Sequence, residues 1–348
     1  MMKINQDEMY MRRCIQLAQN GLYGAPPNPM VGAVVVHDNL IIGEGYHARC
    51  GEAHAEVNAI NSVKNVKLLR ESTIYVSLEP CSHYGKTPPC TDLIIEKQIP
   101  RVVIGCRDPF DKVSGRGIKK LKEAGVEVKV GVLEEECRYL IRRFITFHTA
   151  KRPYITLKWA ESADGYIDYR RIGGEAVKLS SPHSSMLVHK KRAEHSAIMV
   201  GTRTAYLDNP SLTVRYWEGK SPVRIVLDRN LSLPSSLSIF DGSQTTLLFT
   251  EKEAPNQKGI EYITLHKEQP LLPQILEKLY ERNLQSLLVE GGSQLLQSFI
   301  DAELWDEIVV EECPYFLREG VSAPTIISSF NYQREAFMGR IYRHYERK

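Results

Sequence analysis

A histidine and a glutamate two residues apart, His54-Ala55-Glu56, are followed by two cysteines, Cys81 and Cys90, each at the edge of a predicted element. Zinc favours tetrahedral nitrogen and sulfur ligands, and a catalytic site keeps one of its four positions for water. His54, Cys81 and Cys90 fill three such positions. Residues two apart on a helix face different directions, so Glu56 suits a base beside the metal better than a further ligand. Bound zinc brings the pKa of water down to about 7, giving a hydroxide nucleophile at neutral pH, and Glu56 is placed to move its proton. A closed structural zinc, with Cys50 as fourth ligand, or plain buried thiols are the alternative readings.

The elements around these residues alternate in type. The pattern predicts a helix over about Gln6 to Asn20, with Met9, Ile15, Leu17 and Ala18 inward, and strands over Val31 to Val36 and Leu40 to Tyr46. A helix opens at His54. A strand over Ser72 to Leu78 ends at Glu79-Pro80-Cys81, and Cys90 opens the next helix. A strand over Arg101 to Gly105, a helix over Ile118 to Ala124 and a strand over Val126 to Val130 follow, then a long helix from Leu133 to about Phe147. Strand–helix alternation predicts an α/β domain over 1–147. A polar joint over 148–153 leads to a second α/β domain over 154–348, in which Glu251 to Gln269 reads as weakly structured surface. That domain offers Gly291-Gly292-Ser293 between a strand and a helix, a phosphate cradle in principle but not a G-x-G-x-x-G fingerprint.

The 348 residues are ample for two domains, and 25% charged with 43% hydrophobic residues describes an ordinary globular chain. A net charge of +3 gives no reason to expect nucleic acid or an acidic membrane as partner. The opening Met1 to Glu8 carries acids where a secretory leader needs an apolar run, and no stretch is apolar enough to span a bilayer. The seven cysteines are therefore expected as reduced thiols in the cytoplasm, with Cys14, Cys50, Cys106, Cys137 and Cys313 as buried or incidental residues.

H-x-E with a later Pro-Cys is the pattern of zinc nucleobase deaminases, but eight residues rather than two separate these cysteines. Pro27-Asn28-Pro29-Met30-Val31-Gly32, Gly51-Glu52-Ala53-His54-Ala55-Glu56-Val57 and Glu79-Pro80-Cys81-Ser82-His83-Tyr84-Gly85-Lys86-Thr87-Pro88-Pro89-Cys90 resemble the deaminase half of the bifunctional riboflavin-biosynthesis deaminase/reductase family. Lys158-Trp159-Ala160-Glu161-Ser162-Ala163-Asp164-Gly165, the run Arg192 to Arg215 and Val289-Glu290-Gly291-Gly292 resemble its reductase half. The resemblance implies a cytidine-deaminase-like three-layer domain followed by a dihydrofolate-reductase-like domain. It implies one zinc per chain, NADPH, and a diaminopyrimidinone ribosylamine 5′-phosphate that first loses an amino group and is then reduced from ribosyl to ribityl. Asn28, His47, His83 and Lys86 would hold the substrate of the first step. Arg192, Leu212, Arg215 and Glu290 would hold that of the second, with Lys158 and Glu290 acting on it. Glu161, Lys178, Thr204, Asp208 and the turn Gly292, Ser293, Gln294, Leu295, Leu296, Gln297 and Ser298 would contact NADPH. Lys178 stands where many relatives have a Trp, and Phe110 where the family often has Asn. A homo-oligomer, dimer or tetramer, is also implied. The rivals are a monofunctional deaminase with an inert second domain and a zinc-stabilised phosphoribosyl-binding protein, which would have no need of Glu56.

Overall fold

The computed structural model describes residues 5–84, 88–109, 115–327 and 330–347. The expected substrate residue Lys86 and the position of Phe110 lie outside them. Two compact units divide between Lys151 and Arg152.

The first unit comprises α1 (Gln6–Gln19), β1 (Gly32–His37), β2 (Leu40–Tyr46), α2 (Ala55–Asn61), β3 (Thr73–Leu78), α3 (Cys90–Glu96), β4 (Arg101–Cys106), α4 (Arg116–Glu123), β5 (Glu127–Val130), α5 (Glu134–Leu140) and α6 (Arg142–Ala150). Its sheet runs β2-β1-β3-β4-β5, with β1 antiparallel to both neighbours and β3, β4 and β5 parallel. Alternation along the strands sends Ala33, Val35, Ile74 and Val76 to one face and Val34, Val36, Tyr75 and Val103 to the other. The first face is covered by α2, α3 and α4, the second by α1 and α5, which gives three layers. The buried face of α1 is Tyr10, Met11, Cys14, Leu17 and Ala18; the expected Met9 is exposed. The expected long helix breaks at Ile141 into α5 and α6, and α6 extends to Ala150, so part of the expected joint is helical.

The second unit comprises β6 (Tyr154–Glu161), β7 (Tyr166–Asp168), α7 (Pro182–Ala193), β8 (Ala197–Gly201), α8 (Thr202–Asp208), β9 (Val223–Leu227), β10 (Thr246–Thr250), β11 (Ile260–Thr264), α9 (Leu271–Glu281), β12 (Ser286–Val289), α10 (Ser293–Asp301), β13 (Glu307–Glu312), β14 (Val321–Ser322), β15 (Tyr332–Phe337) and β16 (Arg340–Glu346). Its nine-stranded sheet runs β11-β10-β9-β8-β12-β6-β13-β16-β15. The seven strands from β11 to β13 are parallel, and the hairpin of β15 and β16 closes one edge antiparallel. The polar run Glu251 to Gln269 contains β11, an edge strand hydrogen-bonded to β10, rather than being irregular throughout. Main-chain pairing stabilises an edge strand whatever its side chains, and hydrophobic periodicity does not report it.

One buried charge cluster ties α1 to the sheet. Asp7 accepts hydrogen bonds from Tyr75 at 2.8 Å, Arg101 at 3.1 and 3.3 Å, and Lys129 at 2.6 Å. Burial alone would raise its pKa, but these donors outweigh burial and lower it to about 2. The folded value lies below an unfolded value of about 3.9, so the stabilisation is complete above that pH and disappears as pH falls towards the folded value. Asp7→Asn is expected to cost about 2–3 kcal/mol near pH 7. Urea unfolding followed from pH 7 down should show the difference between the proteins closing below about pH 4.

Candidate active sites

In the first unit the expected ligands converge. His54 is the N-cap of α2, in extended conformation, and Glu56 lies in that helix's first turn. This helix lies against β2 because Gly45 has no side chain: a Cβ there would stand 2.3 Å from the Ala59 nitrogen. Cys81 follows β3, and Cys90 is the first residue of α3. His54 Nδ1 is 3.5 Å from Cys81 Sγ and 3.3 Å from Cys90 Sγ, and the three ligand atoms lie within 4.8 Å of one another. Tetrahedral zinc, with bonds of ~2.0 Å to nitrogen and ~2.3 Å to sulfur, sets donor separations of roughly 3.5–3.8 Å. The donor set therefore fits zinc. Among the described residues no fourth His, Cys, Asp or Glu joins it. Cys50 is exposed and outside the group, which removes the closed Cys50 site from consideration.

The electrostatics follow from burial. A hydrogen bond from Cys90, with others from His54 and the Cys90 backbone N–H, lowers the Cys81 pKa to about 4, and the same bond raises that of Cys90. Glu56 is only 4% exposed; burial, reinforced by the Cys81 thiolate, pushes its pKa up to about 7. Asn28 Nδ2 lies 3.0 Å from His47 Nε2, and His47 Nδ1 lies 3.1 Å from the Ala53 carbonyl. Donation by Nδ1 to Ala53 and acceptance by Nε2 from Asn28 make the ring neutral, in keeping with the burial that lowers its pKa. His47 and His54 meet edge to face at 5.4 Å. His83 is exposed.

One residue was not singled out from sequence. Glu79, buried immediately before Pro80-Cys81, accepts the backbone N–H groups of Asp108, Gly115, Gly117 and Ile118 at 3.0–3.3 Å. It fastens the start of α4 to the strand end that presents Cys81. Its place in the Glu-Pro-Cys run was the available signal; its partners lie some thirty residues on.

In the second unit the strand ends border an open cleft of about 1420 Å³. Lys158, Lys178, Arg192, Thr204, Asp208, Arg215, Glu290, Gly292, Ser293, Gln294, Leu295, Leu296 and Ser298 all line it. Gly292 has φ +69°, and a Cβ on Gly291 would meet Val200 at 2.9 Å, so the turn needs both glycines. Glu290 is held by Arg192 at 2.6 Å, and Arg192 also donates to the Thr213 carbonyl. Burial opposes the charge on Glu290, but Arg192 and Lys158 outweigh it and lower its pKa. Asp208 is ion-paired with Arg171.

Three expected contacts lie off the cleft lining. Glu161 faces away from Lys158 along β6, bonded to Trp159 Nε1 at 2.7 Å and to Arg343. Gln297 is committed to Asp301 and the backbone N–H of Thr325. Leu212, at φ +54°, is packed among Ile198, Val200 and Val226.

A His/Cys/Cys triad on a three-layer α/β unit, followed by a nine-stranded unit with a glycine-turn cleft, fits a two-domain enzyme with a zinc-dependent first unit, and its relatives place it among bifunctional deaminase/reductases. The model of the cytidine and deoxycytidylate deaminase zinc-binding region matches residues 4–106, and that of the RibD C-terminal domain matches residues 153–334. The chain is 42% identical over 323 residues to the riboflavin biosynthesis protein RibD of Aquifex aeolicus, covering 91% of this chain and 89% of that one. It is 36% identical over 329 residues to the RibD of Escherichia coli, covering 90% and 89%. The crystal structure of a diaminohydroxyphosphoribosylaminopyrimidine deaminase/5-amino-6-(5-phosphoribosylamino)uracil reductase from Thermotoga maritima matches with TM-score 0.89 at 39% identity, covering 98% of both chains. The chain belongs to the RibD family, the bifunctional deaminase/reductases of riboflavin biosynthesis.

Glu79→Ala would leave those four N–H groups without their acceptor. We expect a stability loss of about 2–3 kcal/mol and at least a roughly tenfold fall in ammonia release. Denaturant unfolding and an ammonia assay on the same samples check both.

Proposed function

We propose that the first unit removes the 2-amino group of 2,5-diamino-6-ribosylamino-4(3H)-pyrimidinone 5′-phosphate as ammonia. The second unit then reduces the ribosyl group to ribityl with NADPH, giving 5-amino-6-ribitylamino-uracil 5′-phosphate. The observation that carries the first step is the open His54/Cys81/Cys90 triad beside buried Glu56. The Thermotoga maritima relative, a diaminohydroxyphosphoribosylaminopyrimidine deaminase and 5-amino-6-(5-phosphoribosylamino)uracil reductase, supports the same pair of reactions here.

His54, Cys81 and Cys90 hold one zinc per chain, and zinc when bound supplies the Lewis acidity that makes water nucleophilic near neutral pH. Glu56 takes the water proton and delivers protons to the ring nitrogen and the departing ammonia. Asn28 spends its amide on His47, so Oδ1 is the atom it offers the pyrimidine. His83 and Lys86 serve the ribose phosphate. NADPH when bound supplies the hydride that the sugar C1′ receives. The Gly292 turn, Thr204 and Lys178 border its place, and Arg215 is the phosphate partner, since Arg192 is already engaged by Glu290. Lys158 places an ammonium at the cleft wall to protonate and orient the opened sugar, and Glu290 stabilises the cationic imine that takes the hydride. The homo-oligomer implied by the resemblance and the cytoplasmic location expected from the sequence belong to the same proposal, and sedimentation equilibrium reads the former.

Glu56→Gln is expected to keep its zinc and lose ammonia release by about 10²–10⁴-fold, while NADPH oxidation on supplied deaminated intermediate stays at the parent rate. Lys158→Met is expected to do the reverse. Parallel ammonia and NADPH-absorbance assays separate the two, and full deamination by Glu56→Gln would sink the mechanism.

A further inference from the structure

Glu311, on β13, is fully buried, and neither sequence motif nor family resemblance singled it out. Its Oε2 accepts a hydrogen bond from Ser180 at 2.7 Å and lies 3.8 Å from Lys158 Nζ. Its Oε1 lies 3.6 Å from Arg340 Nε, and these two buried atoms form no hydrogen bond with any described residue. Parallel pairing of β13 with β6 sets Val309 beside Lys158 and Glu311 beside Ala160, so the carboxylate and the ammonium share one face.

This is a poor arrangement for stability. A buried carboxylate with one hydrogen bond, and cations just beyond hydrogen-bond range, is a weaker core element than apolar side chains of similar volume. Such groups concentrate at functional sites, where they set the charge of a neighbour. The neighbour here is Lys158. The charged and titratable groups gathered round the two are Glu290 at the end of β12, Arg192 and His189 on α7, and Arg340 and Tyr342 on β16. Burial disfavours the Lys158 ammonium, and Arg192 disfavours it further; Glu311 is the first of the two groups that oppose this, with Glu290 second. Glu290 is already bonded to Arg192. Ser180 belongs to the segment 176–180 that lines the cleft, so the same carboxylate also anchors the wall next to Lys178.

We propose that Glu311 is a positioning residue of the reductase, holding Lys158 protonated and aimed into the cleft while fixing the adjacent wall through Ser180. The proposal rests on the role given to Lys158 above, and the test separates the two. NADPH oxidation on supplied deaminated intermediate is measured against pH for the parent, Glu311→Gln, Glu311→Asp and Lys158→Met. Removing the negative charge makes Lys158 lose its proton at lower pH. Glu311→Gln should therefore lower kcat about tenfold or more, with KM changed less than about threefold, and move the basic limb of the profile to lower pH by about one unit or more. Glu311→Asp keeps the charge and should keep the limb. An inactive Lys158→Met beside a Glu311→Gln of near-parental kcat and unmoved limb overturns the proposal alone. An active Lys158→Met overturns the reading of Lys158 and this proposal with it. Thermal melting monitors folding. Should Glu311→Gln fail to fold, Ser180→Ala decides: a fall in kcat of about threefold or more with the limb in place supports the proposal. Parental kcat there marks Glu311 as structural and overturns it.

Discussion

Two thiols, an imidazole and a buried carboxylate that share a crevice can all be ionised or metal-binding together only if a positive charge joins them. Cys81 and Cys90 both stand within 3.5 Å of His54 Nδ1, with Glu56 buried beside them. Without a cation, one thiol must keep its proton and Glu56 is driven towards neutrality. With one, both thiols can ionise and Glu56 can carry charge, because a dication reverses the local logic. The fold spends much of its local structure on holding this unfavourable set together. Gly45 admits α2 to the sheet, α3 starts at a cysteine, and Glu79 ties four N–H groups to the segment between β3 and Cys81.

The second unit meets the same difficulty by pairing. Lys158, Glu290, Arg192, Glu311 and Arg340 bring both signs of charge to the strand ends of one sheet, where the cleft opens. Arg192 satisfies Glu290 closely, whereas Lys158 and Arg340 stand off from Glu311. The nearby Gly291-Gly292 turn packs closely on Val200 and Thr204: a Cβ on Gly291 would meet both, and one on Gly292 would meet Thr204.

The triad of the first site was legible because each ligand sits at an element end that the sequence itself marks. His54 and Glu56 begin a helix, Cys81 follows a strand, and Cys90 begins another helix, so each motif carries its own placement. Glu79 and Glu311 were not legible as site residues because their partners arrive through long-range strand pairing and loop closure. Glu161, expected at the cofactor, is bonded to Trp159 and Arg343, because strand alternation turns it to the face opposite Lys158. Gln297 is spent on Asp301 and Thr325, a loop contact that no helical period foretells. The long helix expected after Leu133 breaks at Ile141, and β11 hides in a polar run because its pairing is main-chain. The strand–helix alternation of both units was readable from their apolar runs, whereas the three-layer arrangement was implied by the family resemblance.

The account turns on the metal, and metal removal tests it most directly. The purified protein would be stripped with a chelator, its zinc content measured, and ammonia release and NADPH oxidation assayed separately, each with its own substrate, before and after zinc is returned. The account predicts one zinc per chain, ammonia release lost on stripping and restored by zinc, and NADPH oxidation unchanged throughout. Ammonia release that persists at the parent rate in folded, metal-free protein would contradict it.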